Sequence, residues 1–203
     1  MSVHNNFEMT EIERQNSSLQ TITNMLIARR WISNDFEEHF LTLKGDTNEI
    51  IDTTQIVSGN VKVAVKFYDV KLNSLKNDRE IDTFFTKYPD HHKILVVNDV
   101  SSKTEKQIAD TKNFEFFRTM EIIRDISKHH LVPEHILLDD EEAKQFMEEY
   151  NLGKLDMGRI YIDDPMARYL YAQKDDIIKI IRPNIYSGYG INYRLVVSGS
   201  IYS

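Results

Sequence analysis

Three residues in the first half of the chain have the types and spacing of a metal-dependent phosphodiesterase. Asp69-Val70-Lys71 stands at the end of an alternating stretch, and Asp52 lies on the segment before it. Carboxylates so placed hold Mg²⁺, and a neighbouring ammonium stabilises the charge that develops on an attacked phosphate. That is the reading of a divergent Mg²⁺-dependent nuclease. Yet Asp-x-Lys arises easily in a chain that is 28% charged, and solvated charge at a strand end explains the same residues. The histidines are less suggestive. His91-His92, His129-His130 and His135 are clustered, but Pro133 interrupts helical spacing between His130 and His135. A zinc site needs three or four ligands at set spacings, so no metal and no cofactor is expected. The signature of the Ser hydrolases, the phosphate-binding loop and His-Glu-x-x-His are all missing. Gly188-Tyr189-Gly190 opens no helix and reads as a hairpin turn. With no cysteine, disulfides, thiolate zinc sites and thiol nucleophiles are excluded.

A different constellation lies near the end. Seven of the ten tyrosines fall between Tyr161 and Tyr202, interleaved with Arg159, Arg168, Arg182 and Arg194. Tyr and Arg combine contact area with a directional polar group, which suits a protein interface. The alternative is that these tyrosines pack a small core and leave their hydroxyls wet. Lys+Arg number 25 against 32 Asp+Glu, a net charge of −7, and both halves are acidic. That argues against a free-standing, charge-driven duplex binder. No run of about 18 apolar residues is present, so a soluble intracellular protein is expected. The 23 Ile and 6 Ala point weakly to an AT-rich coding genome.

The chain has 203 residues, enough for one or two domains. Residues 1–16 read as a polar tail or the start of a first helix. Leu19, Ile22, Met25 and Leu26 then share a helix face. A second short helix is expected over Phe36, Phe40 and Leu43, ending at Gly45. Ile50, Ile51, Ile56 and Val57 suggest a strand. Val61, Val63, Val65 and Phe67 alternate with Lys62, Ala64, Lys66 and Tyr68 as a half-buried strand. Leu72, Leu75, Phe84, Phe85 and Tyr88 suit a helix stopped by Pro89. Ile94–Val97 reads as a strand buried on both faces. Thr104–Lys112 is a predicted helix and Phe114–Ile123 a predicted strand. Such alternation implies an α/β unit.

A boundary is expected within Lys128–Pro133. Beyond it, Asp139 and Glu142 have capping-box spacing, and a helical stripe runs from Ala143 to Tyr150, with Gly153 as terminator. Asp164-Pro165 reads as N-cap and first helical position. Ile177–Ile181 forms a strand ended by Arg182-Pro183, Ser187–Gly190 a turn, and Ile191–Val197 a last strand. This part is a small α+β unit.

From His130 onward the sequence resembles the fifth subunit shared by the eukaryotic nuclear RNA polymerases, and its archaeal counterpart. The carrying residues are His-Leu-Val-Pro-Glu-His (130–135), Asp-Pro-Met-Ala-Arg-Tyr (164–169), Ile-Ile-Lys-Ile-Ile-Arg-Pro (177–183) and Ile-Asn-Tyr-Arg-Leu-Val (191–196). Met157-Gly158-Arg159-Ile160 departs from the family's usual Leu-Pro-Arg-Ile, Tyr171 replaces a common Gly, and Asn184-Ile185-Tyr186 replaces the usual Ser-Glu-Thr. The first half is similar to the two-domain eukaryotic form more loosely. Arg29-Arg30-Trp31 matches the end of its opening helix. Ile94–Val97 followed by Ser101-Ser102-Lys103-Thr104 matches a strand and loop, with Lys103 in place of a Pro.

The resemblance implies residues 17–129 as a nuclease-like α/β jaw domain without nuclease activity. It implies residues 130–203 as a C-terminal α+β assembly domain. It further implies a non-catalytic subunit of a multisubunit DNA-directed RNA polymerase. The C-terminal domain would anchor on the largest subunit and other polymerase subunits. The jaw would lie beside downstream duplex DNA. The implied partner-binding residues are Asp164, Pro165, Arg168, Tyr169, Arg182, Pro183, Tyr193 and Arg194, with Lys103 and Lys106 near DNA. The nucleus is the expected location for a cellular protein, and the virion or a cytoplasmic viral factory for a viral one.

Overall fold

The structure, a computed structural model, describes residues 9–33, 53–56, 61–74, 78–109 and 111–199, with backbone alone at 53–56, 69, 109 and 155. The chain divides into two compact units, Met1–Arg124 and Asp125–Ser203. Each contains its own four-stranded sheet, so the mixed α/β and α+β class is observed.

The first unit opens with helix α1, Glu11–Ala28. Its start is fixed by a capping box: the Thr10 hydroxyl accepts from the Glu13 N–H, and the Glu13 carboxylate accepts the Thr10 N–H at 2.8 Å. Of the two readings of residues 1–16, the start of a first helix therefore holds from Glu11. Leu19, Ile22, Met25 and Leu26 are fully buried, each contributing about 1.5–3 kcal/mol.

The sheet has strand order β1-β2-β3-β4, comprising β1 (Thr53–Ile56), β2 (Val63–Leu72), β3 (His92–Val100) and β4 (Phe114–Arg118). Strand β1 runs antiparallel to β2, while β2, β3 and β4 are parallel. Helices α2 (Arg79–Lys87) and α3 (Ser102–Ala109) make the crossovers. Leu72, Ile81, Leu95, Val97, Ile108 and Phe114 form one cluster, and Ala64, Phe84 and Tyr88 another. Asp78 caps α2 and in turn accepts a hydrogen bond from the Tyr68 hydroxyl. That bond, with burial, pushes the Tyr68 phenol up to about 12.

The second unit has strand order β5-β7-β8-β6, with β5 (Glu134–Leu137), β6 (Gly158–Tyr161), β7 (Ile177–Asn184) and β8 (Gly188–Val197). Strand β7 is antiparallel to both neighbours, and β6 is parallel to β8. Helix α5, Asp140–Tyr150, carries the expected Asp139/Glu142 capping box. Its Phe146 joins Met157, Ile177 and Leu195 in the core and stacks on Tyr193, ring centroids 3.8 Å apart. Helix α6, Pro165–Tyr169, starts at Asp164 as expected.

Several expectations need correction. Leu72 ends β2 rather than entering α2, because the strand continues beside β3 as far as Val100. Thr119–Ile122 is a single helical turn, α4, not the end of a strand; β4 stops where its pairing with β3 stops, at Val97↔Arg118. Asn151, at φ 48°, terminates α5 in place of Gly153, since Asn tolerates the left-handed region. Strand β7 passes through Arg182-Pro183 to Asn184. Strand β5 pairs no further than Ile181, so Pro183 sits on a free edge where its missing N–H is harmless. The turn is Ile185–Ser187, and Gly188, at φ 77°, already begins β8. The expected helix over 36–45 and the ends of the expected strand at Ile50, Ile51 and Val57 lie outside the described residues.

Candidate assembly surface

Strands β7 and β8 run beyond their neighbours. Strand β5 ends opposite Ile181, and β6 begins opposite Arg194. Residues Arg182–Asn184 and Gly188–Gly190 therefore form a two-stranded ribbon projecting from the sheet, and Ile191–Tyr193 form the edge at its base. Side chains on paired strands alternate between faces. Ile181, Pro183, Tyr189 and Ile191 belong to one face by register, and Arg182, Asn192 and Arg194 to the other.

From Pro183 to Tyr193 there is no charged residue, and the tip is strongly exposed. Ile185 is 99% exposed, Tyr186 97%, Tyr189 71% and Ile191 53%. An exposed apolar cluster of this kind marks an interaction site more often than a solvated surface. Sequence reasoning did not single out the exposed Ile185 and Ile191 as candidate contact residues. The available signal was the uncharged run and the loss of a glutamate's place at 185.

The polar face gathers around His135, whose Nδ1 donates to the Pro133 carbonyl oxygen at 2.7 Å. Burial chiefly pushes its pKa down, the Pro133 carbonyl and Asp164 pull it up, and Arg182 and Arg194 push it down again. Asp164, Arg182 and Arg194 are thus brought within electrostatic reach of one ring. Asp164 accepts from the Met166 N–H at 2.9 Å, and Arg194 donates to the Arg159 carbonyl oxygen at 3.0 Å. Arg182, Pro183 and Pro165 line the surface, and Arg168 is half-buried. Tyr169 is 5% exposed and its hydroxyl accepts from Ser127. Tyr193 is half-buried under Phe146. Tyr169 and Tyr193 thus pack inside, as one of the two options had it, while Tyr186 and Tyr189 face solvent.

In the first unit Lys103 and Lys106 lie on the solvent side of α3. Asp52 lies outside the described residues, and Asp69 is placed on β2 by its backbone only. A register irregularity separates Tyr68 from Lys71. The Lys71 ammonium bonds to Asp99 at 2.7 Å, and Arg118 joins the same carboxylate before meeting Glu105 and Glu121. Among the described residues no three His, Asp or Glu side chains stand together to hold a metal ion.

A family profile described as RNA polymerase Rpb5, C-terminal domain, matches residues 124–196. The DNA-directed RNA polymerase subunit Rpo5 of Thermofilum pendens is 41% identical over 75 residues, which cover 37% of this chain and 94% of that protein. The chain belongs to the Rpb5 family. DNA-directed RNA polymerase subunit 5 of Acanthamoeba polyphaga mimivirus is 33% identical over 134 residues, 66% of this chain and 65% of that protein. RPABC1, a subunit of DNA-directed RNA polymerases I, II and III in Caenorhabditis elegans, is 36% identical over 108 residues, 51% of each chain. The match thus spans about half to two thirds of the length of these last two relatives. The 134 residues aligned with the viral protein exceed the length of the second unit, so that likeness reaches into the first.

Proposed function

We propose that the chain is a non-catalytic subunit of a multisubunit DNA-directed RNA polymerase, joined to the assembly by its second unit. Family membership through that unit supports the role, and the observation that carries the anchoring site is the projecting, uncharged ribbon of β7 and β8. Its exposed apolar residues, flanked by Arg182 and by the α6 start at Asp164-Pro165, form a surface that binding would desolvate. The largest subunit is the partner we assign to it. The first unit is then the lower-jaw domain beside downstream duplex DNA, with Lys103 and Lys106 acting on phosphates through charge alone. Polymerisation and its Mg²⁺ belong to other subunits. The location follows the polymerase: the nucleus, or the virion and viral factory.

Native purification of the tagged chain with mass spectrometry tests this. One copy per largest subunit is expected, and recovery as a lone folded protein would sink the proposal. Arg182→Ala with Arg168→Ala should weaken incorporation, and normal incorporation of the folded double variant would overturn that site assignment. The engagement of Lys71 by Asp99 favours the non-catalytic reading over a nuclease. Mg²⁺-dependent DNA cleavage by the pure chain, lost in Lys71→Ala, would reverse that preference.

A further inference from the structure

Strand β8 has a neighbour on only one side for part of its length. From Arg194 onward β6 joins it, but at Gly188–Tyr193 it pairs with β7 alone among the described residues. That leaves about 20 Å of open edge. The direction of its backbone groups follows from bonds at the far end of the strand. The Val196 N–H donates to the Asp176 carbonyl oxygen, on the β7 side, while the Val197 carbonyl oxygen accepts from the Ile162 N–H, on the β6 side. Successive residues of a strand turn their N–H and C=O groups to opposite sides, and the pairing with β7 is continuous from Leu195 to Gly188. The N–H groups of Tyr189, Ile191 and Tyr193 and the Ile191 carbonyl therefore face away from β7, into the open edge. The Tyr189 carbonyl oxygen shares that direction but already accepts from the Ser187 hydroxyl at 3.2 Å.

Given the anchoring role assigned to the ribbon, on which this reading depends, we propose that the β8 edge takes an extended segment of the largest polymerase subunit as a fifth strand. Exposed sheet edges are normally blunted by charge, proline or a bulge. The outer edge of β7 has two of these devices. Arg182 and Pro183 lie beyond the end of β5, and the same alternation turns the ring nitrogen of Pro183 outward, where it offers no N–H to a further strand. The β8 edge has neither charge nor proline from Gly188 to Tyr193, and no register break. An unblocked edge of this length is the feature that strand addition uses: main-chain bonds hold the segment, and alternate side chains select it.

The two faces of the edge define the segment. Tyr189 and Ile191 share a face with Tyr193, which Phe146 of α5 covers, and they remain exposed. Apolar residues at alternate positions of the added strand would lie beside them and extend the cluster of Phe146, Met157, Ile177 and Leu195 outward. On the other face Arg182 stands directly opposite Gly190. It is exposed and meets no carboxylate among the described residues. Gly190 puts no side chain between that guanidinium and the edge. Nothing within the unit requires glycine there, since a Cβ would meet only the Asn184 amide nitrogen, at 3.9 Å. The residue of the added strand beside Gly190 is accordingly acidic, within reach of Arg182. The segment therefore alternates apolar and polar residues and carries Asp or Glu at the central polar position.

The test is amide hydrogen exchange of the unaltered full chain, free and within the purified polymerase, read by mass spectrometry. The outward amides of Tyr189, Ile191 and Tyr193 should exchange freely in the lone chain and slow by about a hundredfold or more in the assembly. Ile191→Pro removes one outward N–H at an edge position that accepts proline, and should reduce co-purification about tenfold or more. Ile191→Ala keeps that N–H and should cost less. Gly190→Val should weaken assembly while leaving the melting temperature unchanged, and Arg182→Glu should weaken it more than Arg182→Ala. Co-purification with the three amides still exchanging freely would overturn strand addition and leave the anchoring site standing. Equal losses in Ile191→Pro and Ile191→Ala would also overturn it, by assigning the contact to the side chain alone. Recovery of the chain without polymerase would overturn the anchoring role and strand addition together.

Discussion

The two units treat charge and apolar surface in opposite ways. The first carries ionic groups inward. Glu115 on β4 bonds to both guanidinium nitrogens of Arg29 and to Nε2 of His92, and Arg29 and His92 are 7% and 5% exposed. Trp31 covers the group, with its ring 4.7 Å from that of His92 and Arg29 above it at 4.8 Å. Burial alone pushes the Glu115 carboxyl up, but Arg29 and His92 outweigh it and hold it below its ordinary range. The second unit turns apolar side chains outward, at Ile185, Tyr186, Tyr189 and Ile191. A satisfied internal ion group defines a position within its own unit. An exposed apolar ribbon is incomplete without something to cover it. Charge is thus turned inward in one unit, and hydrophobic surface is turned outward in the other.

Removing Glu115 should produce the largest effect. Glu115→Ala strands a buried guanidinium and should cost about 3–5 kcal/mol. The chain has one tryptophan, Trp31, so its fluorescence reports melting of the first unit selectively. An unchanged Trp31 transition would break the contrast between the units. The pH dependence has a defined sign. Because the folded Glu115 pKa is depressed, its contribution is complete above the ordinary value of 4.5 and lost as pH falls through the folded value. The Trp31 midpoint should therefore drop with acid, and the dependence should flatten in Glu115→Gln.

Phe146→Ala comes next, at about 3 kcal/mol for the lost stack on Tyr193 and the cavity left. It should reduce amide protection in residues 134–197 and leave Trp31 emission alone. Asp139→Ala removes the α5 cap and should cost about 1 kcal/mol, read as faster exchange in the first turn of α5. The smallest stability effect is expected from Ile185→Ser with Tyr186→Ser, within about 0.5 kcal/mol. The same pair should abolish polymerase co-purification. Unaltered co-purification would remove the ribbon from the interface.

Where local chemistry decides structure, the sequence was legible. The Asp139/Glu142 box and the Asp164-Pro165 helix start need only near neighbours, and each formed as expected; the half-buried strand expected at Val63–Phe67 is instead buried on both faces, Ala64 at 0% and Lys66 at 4% exposure, because β2 is an inner strand. Element ends were less legible. Leu72, Thr119 and Pro183 were misplaced because a strand extends as far as its partner extends, and the partner is distant in sequence. The candidate site shows the same limit. Tyr169 and Tyr186 are the same residue type, and only packing sends one into the core and the other to 97% exposure.

By itself the sequence determined the family, the absence of thiol chemistry, the two-part α/β and α+β organisation and the starts of the two helices of the second unit, because motif order, composition and capping are local properties. Tertiary structure alone decided the rest. It joined Arg29 to Glu115 across 86 positions, paired Lys71 with Asp99, and left the β7–β8 ribbon overhanging its sheet. Those outcomes depend on strand pairing and burial, which are set by residues far apart in the chain and have no signature within any short window of it.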